Sequence, residues 1–375
     1  MYIPDEPRFS PSSLRTTPPA RPAWLGDESW VPAGNRELYA RASLGLYAAL
    51  GQRDGSDDPT ALLPAYVPRA VVWPLLGRGY DLQYYPVDSD LTLPADRVAA
   101  RIDATEPDVA LFVDYFGFRD DALPALAAQA RETGATVVED CARGIFARDT
   151  AGELLGSTGD IAMYSLYKTL PVPDGGLVVS DREVPEPTAQ ASNWANAPSS
   201  VLESVLHRVG VPPSRLLGTS KPDRSEVEVY TGEVTPPGER SPLRGPCHLT
   251  ACGLAACEPA RIQATHRDAY RELRHALVDC ETVDVLTPPA HDGASPFGVA
   301  VRLPDRRWRD TCYQALSRAG YPVVVYQWPP CSSGATPDGA QQLRNTTCVI
   351  PTYCRLDQPS IRRLVEIVTR APGHS

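Results

Sequence analysis

Of the 36 basic side chains in this 375-residue chain, only Lys168 and Lys221 are lysines; all others are arginines. Arginine stays charged under all ordinary conditions, whereas a lysine can lose its proton and attack a carbonyl carbon as a free amine. A lysine kept against that background is a candidate nucleophile. Chance suffices to explain Lys221, in Ser-Lys-Pro-Asp, but Lys168 has company. It closes Gly-Asp-Ile-Ala-Met-Tyr-Ser-Leu-Tyr-Lys (159–168), between Val-Val-Glu-Asp-Cys-Ala-Arg (137–143) and Pro-Asp-Gly-Gly (173–176). Asp140 ends an apolar run, where a carboxylate can pair with a protonated ring nitrogen; helix caps and turns are equally common uses of such an aspartate. Ser165 can donate to a phosphate or satisfy a turn. The Gly-Gly pair permits close backbone approach to a ligand. Acid, hydroxyl, lysine and Gly-Gly turn, in that order, suit the binding of pyridoxal phosphate (PLP), whose aldehyde a lysine amine captures.

These residues need a scaffold that brings strand ends together. The apolar run Asp108–Asp114 reads as a buried strand, and Ala135–Glu139, Asp160–Leu166 and Gly176–Ser180 as further strands. Between the first two, Leu123, Leu126, Ala127 and Ala130 share a helical face over 122–133, with Asp121 as cap and Gly134 beyond the end. A helix is expected over 67–77 and a strand over 81–87, while 36–50 contains small residues leading into a helix-like apolar stripe. The alternation over 36–180 predicts an α/β fold with a mainly parallel sheet, whose ligands sit beyond the carboxyl ends of the strands, where Asp140 and Ser165 fall.

The remaining segments divide the chain into an arm and two domains. Residues 1–35 form a proline-rich arm, 36–245 a large PLP-binding α/β domain with a long connection at 181–245, and 246–375 a smaller C-terminal α+β domain. The connection carries one possible helix at 199–208. Beyond it we expect a helical region from 247 to about 281, a strand at 297–303, a helix ending at Gly320, strands at Val323–Tyr326 and Cys348–Ile350, and a terminal helix presenting Ile361, Leu364, Val365 and Val368.

Composition narrows the function classes. A net charge of −10 argues against nucleic acid or an anionic membrane surface as partner. There is no long apolar run and no apolar signal core, so a cytoplasmic location is expected. The nine cysteines include no CxxC pair, and the five-residue steps between Cys247, Cys252 and Cys257 share no helix face, so no metal site is expected.

The chain resembles the DegT/StrS family of PLP-dependent sugar aminotransferases. The likeness rests on Glu-Asp-Cys-Ala (139–142), Gly159-Asp160-Ile161, Ser165, Lys168 and Asp-Gly-Gly (174–176). It is looser from about residue 38 through Leu-Leu-Pro-Ala-Tyr (62–66) and Asp-Tyr-Phe-Gly (114–117) to Val-Ile-Pro-Thr-Tyr (349–353). The resemblance implies the fold type I PLP-transferase architecture, with Lys168 as Schiff-base residue and proton shuttle, Asp140 as partner of the pyridine nitrogen and Ser165 as phosphate ligand. Ala42-Ser43-Leu44 matches the phosphate-cradling loop at a helix start. Tyr66 or Tyr115 would supply a ring stacked on the cofactor, both being equally readable as core aromatics.

Departures are visible too. The family's Ser-Gly-Thr loop is Ala42-Ser43-Leu44 here, and Arg143 stands where Gln or His commonly follows Asp-x-Ala. The serine-to-lysine interval is two residues shorter, and the Asn-Tyr-Arg segment that lends a partner-subunit asparagine has no clear counterpart in Leu-Arg-Gly-Pro (243–246). Arg143 could meet a cofactor oxygen or a substrate carboxylate or phosphate, or form a plain ion pair. The function expected from the resemblance is transfer of an amino group from an amino-acid donor to a keto sugar or related keto metabolite, by a homodimer. The rival readings are a PLP-dependent dehydratase or lyase and a non-catalytic PLP-binding scaffold.

Overall fold

Every position of Val-Ala-Leu-Phe-Val (109–113) is apolar, so a strand there needs cover on both faces, which only a helix-flanked sheet supplies. The computed structural model, which describes residues 21–51, 58–190, 243–326, 328, 337–353 and 356–370, shows that sheet. The chain runs through β1 (Asn35–Tyr39), α1 (Ala42–Ala49), β2 (Thr60–Pro64), α2 (Arg69–Gly77), β3 (Asp81–Tyr85), α3 (Ala95–Thr105), β4 (Val109–Val113), α4 (Leu123–Glu132), β5 (Thr136–Asp140), β6 (Ile161–Ser165) and β7 (Gly176–Ser180). The seven strands form one sheet in the order β1-β7-β6-β5-β4-β2-β3. From β3 to β6 the neighbours are parallel, while β7 runs antiparallel to both β6 and β1. The mainly parallel α/β architecture expected from the alternation is therefore present.

Three local expectations need correction. Residues 36–50 do not lead straight into a helix: Asn35–Tyr39 pairs along β7, and α1 begins only at Ala42. An edge strand of five residues carries little periodicity of its own, so its identity comes from the partner it pairs with. The cap of α4 is Ala122 rather than Asp121, and the nearby carboxylate that accepts a backbone N–H is Asp120, from Ala122 at 2.8 Å. The arm is partly core: Trp24, Leu25 and Val31 are buried, and the Trp24 indole N–H donates to the Leu254 carbonyl at 2.9 Å.

Downstream come β8 (Ala189–Gln190), β9 (Arg244–Gly245), α5 (His248–Ala255), α6 (Pro259–Val278), β10 (Asp284–Val285), β11 (Gly298–Arg302), α7 (Arg306–Arg318), α8 (Asp338–Thr346), β12 (Thr347–Pro351) and α9 (Gln358–Thr369). The antiparallel sheet β10-β11-β12 packs with α6, α7 and α9 around a second core that includes Tyr270, Leu273, Val299, Leu316, Ile350 and Leu364. The helical region expected from 247 is two helices, because Pro259 lacks an N–H and pushes Glu258 out of helical geometry to φ −109°, ψ 98°. Val323–Tyr326 is no strand; it contributes one bridge, Val324 to Val349. Helix α8 was not anticipated, and its Ala340 and Leu343 join the core of the seven-stranded sheet. The possible helix at 199–208 lies outside the described residues. Among the described residues no helix is long and apolar enough to cross a membrane.

Gly176, first residue of β7, touches the start of α1: a Cβ there would lie 2.0 Å from the Ala42 nitrogen and 2.3 Å from the Arg41 carbonyl carbon. Backbone cannot yield as a side-chain tip can. Gly176→Ala is expected to cost about 1–3 kcal/mol of unfolding free energy in urea titration, the scale of overpacking in a tight interior. An unchanged midpoint would show that this contact is not tight.

Candidate active site

Adjacent residues of a strand point to opposite faces, so at the end of β5 Glu139 and Asp140 serve different surroundings. Glu139 is fully buried and receives two bonds from Arg119, at 2.7 and 3.2 Å. Three more come from the N–H groups of Gly156, Thr158 and Gly159, at 2.8–2.9 Å. The same Arg119 pairs with Asp149 at 2.7 Å. Glu139 thereby ties the loop that precedes β6 to the end of β5. Asp114 and Cys141 join this cluster, the thiol donating to Asp114 Oδ2 at 3.2 Å while Oδ1 has no partner. Asp114, Glu139 and Cys141 bring ligand atoms within 4.8 Å of one another. Five donors already occupy the Glu139 oxygens, however, so this is a structural cluster rather than a metal cradle.

On the other face Asp140, 2 % exposed, accepts a hydrogen bond from the Ala142 N–H at 2.9 Å. Burial pushes its carboxyl above the usual carboxylate range, against the pull of Lys168, the Ala142 N–H and Arg143. Ser165 ends β6, the last strand of the parallel run, and a short 3-10 turn, Leu166–Lys168, brings the lysine round after it. Helix α1 starts at the same end of the sheet, where Gly176 of β7 pairs with Tyr39 of β1 on one side and with Ser165 of β6 on the other. Its cap, Arg41, makes no side-chain capping bond, and the first N–H groups of a helix have no partner within it. The three elements meet around a cavity of about 230 Å³ lined by Arg41, Ala42, Ser43, Asp140, Ser165 and Lys168, with Tyr167 and Met163 beside them.

Of the residues singled out in the sequence, Lys168, Asp140, Ser165, Ala42 and Ser43 are thus brought together. Tyr66, Tyr115 and Arg143 are not among the residues lining that cavity. Tyr66 is fully buried, its ring 4.3 Å from Trp328 and 5.9 Å from Tyr115, and its hydroxyl donates to the Tyr326 carbonyl at 3.1 Å. Tyr115 lines a separate cavity with Leu93 and Thr287 and donates to the Tyr66 carbonyl at 2.5 Å. Both rings sit as core aromatics. The Asp-Gly-Gly turn also serves the fold first: Asp174 accepts from the Cys247 N–H at 3.1 Å and from the Thr250 hydroxyl, Gly175 takes φ 116°, and Gly176 abuts the start of α1. Within the chain, Gly176 is approached by the backbone of Arg41 and Ala42, and Gly175 by the Thr250 and Leu166 side chains.

Two residues were missed. Arg41 lines the cavity with its guanidinium 4.4 Å from the centre of the Tyr167 ring. A cation at a helix N-terminus is electrostatically unfavourable by itself, and that misfit was the available signal for an anion nearby. His266 of α6 is buried, bonded to the backbone at Pro296 and Thr169, and burial lowers its pKa to about 4. It links the C-terminal part to the residue after Lys168, and nothing in the sequence marked it.

The fold and site define a mostly parallel α/β protein in which a lysine, a buried carboxylate and a helix N-terminus share one cavity. Residues 42–197 match the model of the DegT/DnrJ/EryC1/StrS aminotransferase family, and this segment holds all of the cavity lining except Arg41. Among solved structures, the aminotransferase PseC of Helicobacter pylori, involved in pseudaminic acid biosynthesis, is 14 % identical and superposes with a TM-score of 0.70 over 98 % of both chains. The sugar aminotransferase CalS13 of Micromonospora echinospora is 21 % identical, with a TM-score of 0.64 over 98 % of this chain and 99 % of that one. At such identities the likeness shows the fold, that of the fold type I aminotransferases. The serine hydroxymethyltransferase of Pyrococcus furiosus is 28 % identical over 135 residues, 35 % of this chain and 32 % of that enzyme, so the match spans about a third of this relative's length.

The buried cluster generates a pH prediction. Burial and the neighbouring Glu139 hold the Asp114 carboxyl protonated well above its ordinary 3.8. Between those two values the native state binds a proton that the unfolded chain has lost, so this group lowers stability as pH rises. Urea midpoints of Asp114→Asn, which cannot titrate, are expected to fall less from pH 5 to pH 9 than those of the wild type. Parallel slopes would show that Asp114 is already ionised in the native state.

Proposed function

We propose that the chain is a PLP-dependent aminotransferase that moves an amino group from an amino-acid donor to the keto group of a sugar or related small metabolite. The observation carrying this reading is the convergence of Lys168, Asp140 and the start of α1 on one cavity. The residues fit the cofactor by their chemistry. An amine is present for its aldehyde, a buried carboxylate for its ring nitrogen, and helix N–H groups with the Ser43 and Ser165 hydroxyls and Arg41 for its phosphate. A cavity of about 230 Å³ lies below the usual range of small-molecule sites, roughly 300–1,000 Å³, and suits a single substituted ring.

When bound, PLP supplies an electron sink that makes the proton on a donor's α-carbon removable. Asp140 Oδ would accept the ring N–H, and the new cation would draw its carboxyl back down to the ionised state. Lys168 Nζ, released by the incoming donor amine, would take the α-carbon proton and return it one position away. Ser43, Ser165 and the α1 N–H groups would anchor the phosphate and so fix the ring against both. Assembly as a homodimer belongs to the same proposal and rests on the family resemblance.

The test is the visible spectrum of the purified protein after addition of PLP. The wild type is expected to develop a band that Lys168→Ala lacks, and L-glutamate is expected to bleach it as the amino group moves to the cofactor. A wild type without a Lys168-dependent band would defeat the enzymatic reading in favour of a scaffold.

A further inference from the structure

The Arg143 side chain, three residues beyond Asp140, enters a nest of aromatic rings. Its guanidinium carbon lies 4.4 Å from the centre of the Tyr326 ring, 5.2 Å from Phe297, and 5.9 Å from both Phe116 and Trp328. The residue is 8 % exposed. Its hydrogen bond within the chain is from Nε to the Tyr326 hydroxyl at 3.2 Å. Among the described residues, no carboxylate stands within ion-pair distance of it. The other deeply buried arginines are neutralised: Arg119 by Glu139 and Asp149, and Arg309 by Asp310, at 2.6–2.7 Å.

Aromatic faces attract a guanidinium through their quadrupoles, and they hold its plane, but they leave its unit charge in place. A buried charge without a counterion is costly unless an anion completes it. Asp140 feels the field of Arg143 but that of Lys168 more strongly, so Asp140 is not a counterion dedicated to Arg143. Arg143 directly follows Ala142, which lines the Lys168 cavity. Nε is occupied by Tyr326, and the terminal guanidinium nitrogens are the edge left for a planar, bidentate acceptor.

We propose that Arg143 receives a carboxylate of the amino-acid donor, making the aromatic nest around it a preformed anion subsite beside Lys168. This rests on the aminotransferase reading and deepens it. A ligand whose carboxylate is removed or capped loses the one group that neutralises the nest, and a lysine in place of Arg143 offers a point charge without the planar fork.

The experiment is calorimetric titration of the PLP-loaded protein with glutarate, which has carboxylates but no amine, and with its uncharged diamide, glutaramide. Wild type is expected to bind glutarate more tightly than glutaramide. Arg143→Gln is expected to weaken glutarate about ten-fold or more, Arg143→Lys less, with glutaramide unchanged in all three. Equal affinity of wild type and Arg143→Gln for glutarate overturns the proposal, as does a wild type that does not prefer glutarate to glutaramide. Should Arg143→Gln fail to fold, the wild-type preference and Arg143→Lys still decide. A normal Lys168-dependent band with unchanged glutarate affinity removes only the Arg143 assignment, whereas a missing band in the wild type removes the enzymatic reading itself.

Discussion

The buried carboxylate of Glu139 is the constraint on which the site depends. Two bonds from Arg119 and three from backbone N–H groups converge on it, so the loop before β6 closes onto the end of β5 in one arrangement. A fully desolvated carboxylate tolerates no partial solution, because each lost donor leaves charge unanswered in a medium that cannot screen it. Fixing β5 and β6 against one another sets the separation of their ends, where Asp140 and Ser165 lie. The strand pleat then does the rest, turning Glu139 into the structural cluster and Asp140 toward the cavity.

Helix α1 is held to the same frame by a contact without side chains. Gly176 lets β7 approach the backbone of Arg41 and Ala42, while the Gly175 N–H donates to the Ala40 carbonyl at 2.9 Å and its own carbonyl accepts from Leu166 at 3.0 Å. One turn thus joins the helix start to the turn bearing Lys168. The N-terminal end of the helix and the amine are positioned by shared backbone bonds, which gives a precision that loops on long side chains would lack. His266 adds a tether from α6 to the backbone at Thr169, so the C-terminal part bears on the same turn.

Charge is distributed unevenly around this frame. Glu139, Arg119, Asp149 and Asp114, whose carboxyl burial and Glu139 push upward, balance one another on one face. On the other, Arg41 and Lys168 share the cavity with Asp140, which also feels Arg143, and each of the three cations faces an aromatic ring. The first set holds the fold closed; the second gathers positive charge around the cavity.

Much of this was legible in the sequence, for identifiable reasons. The scarcity of lysine, the order Asp140, Ser165, Lys168 and the apolar runs over 109–113 and 161–165 are local properties, and they determined the parallel sheet and the cavity's principal residues. Tertiary partners decided the remainder. Asn35–Tyr39 is a strand because β7 is there to pair with it, and Val323–Tyr326 is not one because only Val324 finds a bridge. Tyr66 is a core aromatic because Trp328, 262 positions later, packs on it at 4.3 Å. Likewise, the sequence left Arg143 open between cofactor, substrate and ion pair. Its surroundings come from Phe116, Phe297, Tyr326 and Trp328, and whether a buried guanidinium is paired or bare depends on which distant side chains the fold delivers, not on its neighbours along the chain.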